Sequence, residues 1–146
     1  MAISNYSTQI DFNKTIGEIQ GILAKNGAKK IVVDYNEEGL PSALTFGALL
    51  ANGQMVFFSL PARPSGVLRA MQEDNVAKKF QTIEQAQRVS WRIIKDWIVA
   101  QLALIEAEIA ELPEIFLPYA ITKQGETLYE SIGRDQSFLL TDGSKV

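Results

Sequence analysis

The chain contains no histidine and no cysteine. Without them the usual zinc sites, the Ser-His and Cys-His nucleophile pairs and the common proton shuttle at neutral pH have nothing to be built from. Disulfides and thiolate chemistry are excluded for the same reason. What stays open is carboxylate, lysine or tyrosine catalysis, or a metal held by oxygen ligands alone, and each needs a cluster of such groups. The sequence shows no such cluster, so it reads as a non-enzyme without a cofactor. Phosphate-cradling glycine loops are missing too. Gly21 and Gly27 enclose ILAKN, one residue too many, and Ala28 stands where that motif needs lysine. No apolar run reaches the length of a membrane span, and MAISNYSTQIDFNK lacks the charged start and apolar centre of a secretion signal. The expected location is cytoplasmic.

What the chain does have is an ordinary globular composition, 47% hydrophobic and 21% charged over 146 residues. That is enough for one domain with a real core, expected over 1–146 with a frayed tail at 140–146. The fold class expected is α+β. Phe12, Ile16, Ile19 and Leu23 recur at helical spacing, Asp11 can cap the start and Asn26-Gly27 can stop it, which predicts a helix over 12–26. KKIVVDY followed by NEEG predicts a strand near 30–35 and a turn. Residues 61–81, with Pro61, Pro64 and Gly66, read either as a short helix or as a helix-breaking connector.

Asn52-Gly53 between two apolar runs signals a hairpin, giving a three-stranded antiparallel sheet. With a two-residue turn, Ala51 opposes Gln54. Leu50, Ala48 and Phe46 then share one face with Met55, Phe57 and Ser59, while Leu49, Gly47 and Thr45 share the other with Val56, Phe58 and Leu60. Both faces are apolar, so the sheet is expected to be covered twice, the second cover being supplied by another subunit.

Thr82 and Gln85 make a capping box ahead of a long periodic run that Pro113 ends. This predicts a helix over about 83–112, roughly 45 Å long, followed by a short strand in EIFLPYAIT and a short helix in GETLYESI. Trp91, Ile94, Ile98, Leu102, Ile105, Ile109 and Leu112 form its core stripe, and Ile93, Trp97 and Leu104 a second apolar flank. Arg88, Arg92 and Lys95 lie in its first half and Glu106, Glu108 and Glu111 near its end. That order opposes the helix macrodipole. It therefore calls for compensation from outside, either a second copy packed antiparallel or an anionic ligand at the basic end. A merely solvated strip is the commoner meaning of such charge runs. Glu106, Glu108, Glu111 and Glu114 fall at different angles and do not form a metal site.

The element order of helix, three strands and helix is that of double-stranded-RNA-binding domains, and Lys78-Lys79 precede the last helix as in those domains. With 14 basic against 17 acidic residues and a pI near 5.0, however, the chain lacks the basic excess of nucleic-acid binders.

Two segments carry a family resemblance. KTIGEIQGILAKNGAKK and WRIIKDWIVAQLALIEAEIAELPEIFLPYAI resemble small uncharacterised proteins of bacteriophages and prophages. The match rests on Lys14, Thr15, Glu18, Ile19, Trp91, Arg92, Phe116 and Leu117. It implies a mobile-element origin in the cytoplasm of a bacterial host, and a small-protein role such as blocking or sequestering a host factor. Together with the residues this gives a first expectation: a homo-oligomeric binding protein that evades host defence by sequestering a small anionic, nucleotide-like ligand. Arg88, Arg92 and Lys95 would grip it with help from Arg63 or Arg69, because guanidinium forks suit phosphate. The alternatives are a module that inhibits a host protein through an apolar surface, and a nucleic-acid-binding domain.

Overall fold

In the computed structural model, which describes residues 1–143, Asp11 caps the first helix by accepting the N–H of Asn13 at 3.0 Å. Helix α1 runs Phe12–Lys25 and stops as expected at Asn26, whose N–H returns to the carbonyl of Leu23. Gly27 follows at φ 110°. Strand β1 is Ala28–Tyr35, β2 Pro41–Leu49 and β3 Met55–Pro61, in the order β1-β2-β3 with both pairings antiparallel. The Asn36 side chain holds the β1–β2 turn by accepting from the N–H groups of Glu38 and Leu40, each at 3.0 Å. Of the expected tail at 140–146, residues 144–146 lie outside the described residues.

The hairpin register differs from the expected one. Leu49 opposes Met55, Leu50 N–H donates to the carbonyl of Gln54 at 2.8 Å, and Gly53 N–H returns to Leu50 at 2.9 Å. Three residues, Ala51 to Gly53, therefore make the loop, with Gly53 at φ 84°, the usual place for glycine in a three-residue hairpin loop. One extra loop residue slides one strand by one place and exchanges its faces. Phe46 consequently meets Phe58, Leu44 meets Leu60 and Ala48 meets Val56. The first two pairs are fully buried, and the Phe46 and Phe58 rings stack at 5.1 Å. The other face carries Val32, Leu49, Met55 and Phe57, between 36% and 45% exposed. A single copy covers its sheet once.

Residues 61–81 hold a helix, α2, Pro64–Glu73, and a 3-10 turn at Lys78–Phe80. Helix α3 begins after Thr82, whose hydroxyl accepts the N–H of Gln85 at 3.1 Å. Gln85 does not complete the capping box. Its buried amide instead donates to the carbonyls of Tyr6 and Thr8 at 2.8 and 2.9 Å, fastening the N-terminal segment to α3.

Helix α3 covers Ile83–Glu106, about 36 Å at 1.5 Å per residue, and so falls short of the expected end at 112. Ala107 and Glu108 break it. Glu108 takes φ 59°, its N–H bonds to Ile105 and the N–H of Ile109 to Leu104. That is a Schellman stop with glutamate in the place usual for glycine. The break leaves Ile109 69% exposed, while Leu112 is buried from a separate short helix, α4, Leu112–Ile115. The expected C-terminal strand reduces to a 3-10 turn at Leu117–Tyr119 and isolated bridges from Ala120 to Phe58 and from Ile121 to Thr127. Helix α5, Leu128–Arg134, follows with a complete Thr127–Glu130 capping box.

The two apolar sides of α3 are both met within the chain. Trp91, Ile98 and Leu102 pack with Ile16, Ile19 and Leu23 of α1 and with Leu44, Phe46, Phe58 and Leu60 of the sheet. Ala86 and Val89 pack with Met71 and Val76 in a second cluster that Ile93, Val67, Leu68, Tyr6 and Phe80 complete. No described helix is long and apolar enough to cross a membrane.

Candidate functional site

The basic strip of α3 is engaged by the protein itself. Arg92 donates to Glu18 of α1 at 2.9 Å and, more weakly, to the Thr15 hydroxyl at 3.4 Å. Lys95 donates to the same Glu18 oxygen at 2.7 Å. Two cations around one carboxylate lower its pKa from the ordinary glutamate value, the Lys95 hydrogen bond contributing most and the Arg92 bond less. The compensation that the macrodipole argument asked for comes from α1, one helix away in the same chain. Arg88 turns elsewhere, its Nε donating to Gln85 at 2.9 Å, and lines an open hollow of about 420 Å³ with Thr8, Gln9, Lys79 and Phe80. The Lys79 ammonium there lies 5.0 Å from the Phe80 ring centre.

Arg63 and Arg69 come from α2 and its approach. Arg69 is exposed on the helix and is not among the residues that line the hollows beside Arg63 and Arg88. Arg63 sits at the N-cap of α2, on the ridge between two adjoining hollows that share Pro61, Arg63 and Tyr119. The shallower, about 260 Å³, runs between β3, α2 and α3 over Val67, Ser90, Ile93, Ile94 and Trp97. The deeper, about 490 Å³, lies between β3 and the C-terminal segment and is lined by Ser59, Pro118, Thr127, Tyr129 and Glu130 besides the shared three.

The five basic residues read from the sequence thus fall in four places. Only Arg92 and Lys95 come together, through Glu18, and Arg63 alone lies in the deeper cleft.

The cleft is positioned by local chemistry. Pro64 at the first helical position starts α2 and sets Arg63 at its rim. On the far side the Thr127–Glu130 capping box fixes the start of α5, the Thr127 N–H donating to Glu130 at 2.9 Å and the Glu130 N–H to the Thr127 hydroxyl at 3.2 Å. The Thr127 backbone N–H, and after it the Thr127 side chain, lower the Glu130 carboxyl below its ordinary value, with a smaller contribution from the charge of Arg63. Tyr129, 71% exposed, stands between them in sequence. The floor is firm: Tyr119 packs on Trp97 at 5.4 Å, Trp97 edge-on against Phe116 at 5.3 Å, and Phe116 edge-on against Phe46 at 5.4 Å.

One guanidinium, one carboxylate, two hydroxyl-bearing aromatic rings and the hydroxyls of Ser59 and Thr127 converge on this space. The set can hold a ligand with an anionic end for Arg63, a flat body for the tyrosines and hydrogen-bond donors for Glu130. Sequence reasoning missed Ser59, Tyr119, Thr127, Tyr129 and Glu130. A signal for three of them was present, since T-L-Y-E is a capping box that places its tyrosine in the first turn of a helix. Among the described residues no group of three or more acidic side chains is placed to hold a metal ion.

Compared with known proteins, the chain matches no family model, no curated protein and no solved structure.

Proposed function

We propose that the protein is a non-enzymatic binder that sequesters a small anionic, nucleotide-like ligand in the cleft beneath Arg63. The observation that carries this reading is the cleft itself. At about 490 Å³ it falls in the size range of small-molecule sites, and Arg63 lines it together with two tyrosines. Equilibrium binding then does the work: ligand is withdrawn in proportion to the protein present, with no chemistry required. The resemblance to phage proteins gives that withdrawal a purpose, the removal of a host factor on which host defence depends. The cationic strip of α3 takes a smaller part than its composition first implied, because Glu18 already occupies Arg92 and Lys95.

The reading is tested by native mass spectrometry of the purified protein and by titration calorimetry with nucleoside mono- and diphosphates. A retained small molecule absorbing near 260 nm, or saturable binding that Arg63→Ala weakens by about tenfold or more, is the expected result. Arg92→Ala is expected to leave affinity nearly unchanged. Absence of binding to the whole panel, with a host protein captured instead, would favour the alternative of an interaction module working through the open apolar face of the sheet. A mobility shift that collapses with salt would favour nucleic acid.

A further inference from the structure

Strand β1 leaves one side of the sheet without a neighbour. The opposite margin is interrupted partway along β3: Ala120 bridges to Phe58, and the N–H of Ile121 donates to the carbonyl of Phe57 at 2.8 Å. Along β1, among the described residues, no backbone hydrogen bond outside its pairing with β2 involves residues 29–35. Which groups are unused follows from the ladder. Leu50 N–H bonds to Gln54 and Ala62 N–H to Ser42, so the even-numbered residues of β2 turn their backbone groups toward β3. Residues 43, 45 and 47 then turn theirs toward β1, where they meet Asp34, Val32 and Lys30. Ile31 and Val33 are left with N–H and C=O groups aimed outward.

We infer that this margin is a self-complementary interface, on which β1 of a second copy pairs antiparallel with Val32 opposite Val32 to make one six-stranded sheet. The free backbone groups belong to Ile31 and Val33, so a two-fold pairing has to set odd-numbered residues against odd-numbered ones. Centring on Ile31, Val32 or Val33 satisfies that. Only the centre at Val32 lays Lys30 across from Asp34, and symmetry makes it do so twice. Centring on Ile31 faces Lys30 with Val32, and centring on Val33 faces Asp34 with Val32. Within one copy Lys30 and Asp34 lie about 13 Å apart along the strand. Both are exposed, and neither has an ion-pair partner among the described residues. Lysines at a sheet margin ordinarily guard it against pairing. An aspartate four places on, on the same face, converts that guard into a key for one register. Val32, 42% exposed, shares the open face with Leu49, Met55 and Phe57, and stacking on its own copy removes it from water. This gives the homo-oligomer expected from the sequence a partner and a geometry, and it does not depend on the ligand in the Arg63 cleft.

The chain has no cysteine, so a single introduced one reports cleanly. Opposed residues in a pair that is not hydrogen-bonded have Cα atoms about 4.5 Å apart, within reach of a disulfide. Val32→Cys is expected to become a covalent dimer under mild oxidation. Leu49→Cys, on the same face and similarly exposed, is expected to stay largely uncoupled. In sedimentation equilibrium, Asp34→Lys alone and Lys30→Asp alone should each weaken the dimer by about tenfold or more, and the double exchange should restore it. A wild-type chain that stays monomeric at high micromolar concentration overturns the inference. So does an assembly that neither reversal disturbs and that Val32→Cys does not trap. Calorimetry at the Arg63 cleft is a separate measurement, so failure of the pairing and failure of the ligand reading are told apart.

Discussion

Lys95 and Glu18, seventy-seven residues apart, meet at 2.7 Å and tie the longest helix to the first one. With Arg92 on the same oxygen, this makes Glu18 the electrostatic hinge between α1 and α3, at a partly exposed site where a lone pair would contribute little. Its folded pKa is depressed. A group so shifted adds stability above its unfolded pKa and loses it as pH falls through the folded value. Glu18→Gln is therefore expected to lower Tm at pH 7, and the gap between the two proteins should close in acid, below the ordinary glutamate range. A gap that stays constant with pH would remove the ionic account. Thermal melts across pH 3 to 8 measure it.

Gly47 lies under Met55 and Phe57. A Cβ there would come within 2.9 Å of Met55 Sδ and of Phe57 Cε1. The Met55 side chain can move, but the ring must be displaced from the sheet. Gly47→Ala is expected to cost about 1–3 kcal/mol, and Phe57→Ala in the same chain to recover part of that, which a double-mutant cycle in urea would resolve.

Glu108 ends α3 at φ 59°, a conformation that costs a residue with a Cβ about 1–2 kcal/mol. Glu108→Gly is expected to stabilise the protein by about 1 kcal/mol. A loss of stability would mean that the glutamate side chain contributes something its backbone position does not show.

Phe116 supports the cleft without lining it, being fully buried between Phe46 and Trp97. Phe116→Ala is expected to cost about 3–5 kcal/mol and, by loosening Trp97 and Tyr119, to weaken ligand binding as well. Calorimetry performed well below the variant's melting temperature separates the two effects.

The elements whose start and stop are local chemistry were legible in the sequence. Asp11 and Asn26-Gly27 bound α1, and Thr82 opens α3, because capping residues act on the nearest backbone groups. Trp91 was readable as core from helical periodicity alone. The register of the β2–β3 hairpin was not, since Asn52-Gly53 suits both a two-residue and a three-residue loop, and the choice falls to whichever buries Phe46 against Phe58. The early end of α3 was hidden for a similar reason: Ile109 and Leu112 keep the helical period although the chain turns at Glu108. For the site, the basic strip was visible but its neutraliser was not. Glu18 lies far away in sequence, and only the packing of α1 on α3 brings it to Arg92. Arg63 was visible as one of several basic candidates, while the tyrosines and Glu130 that share its cleft are assembled by the return of residues 117–130 to β3, a long-range event without a local mark.

That return has a further effect. Because Ala120 and Ile121 already sit against Phe57 and Phe58 of β3, strand-by-strand growth is obstructed on that side and left free at β1. Two copies joined through β1 would present outward only margins interrupted at Phe57 and Phe58, which favours a closed pair over continued growth.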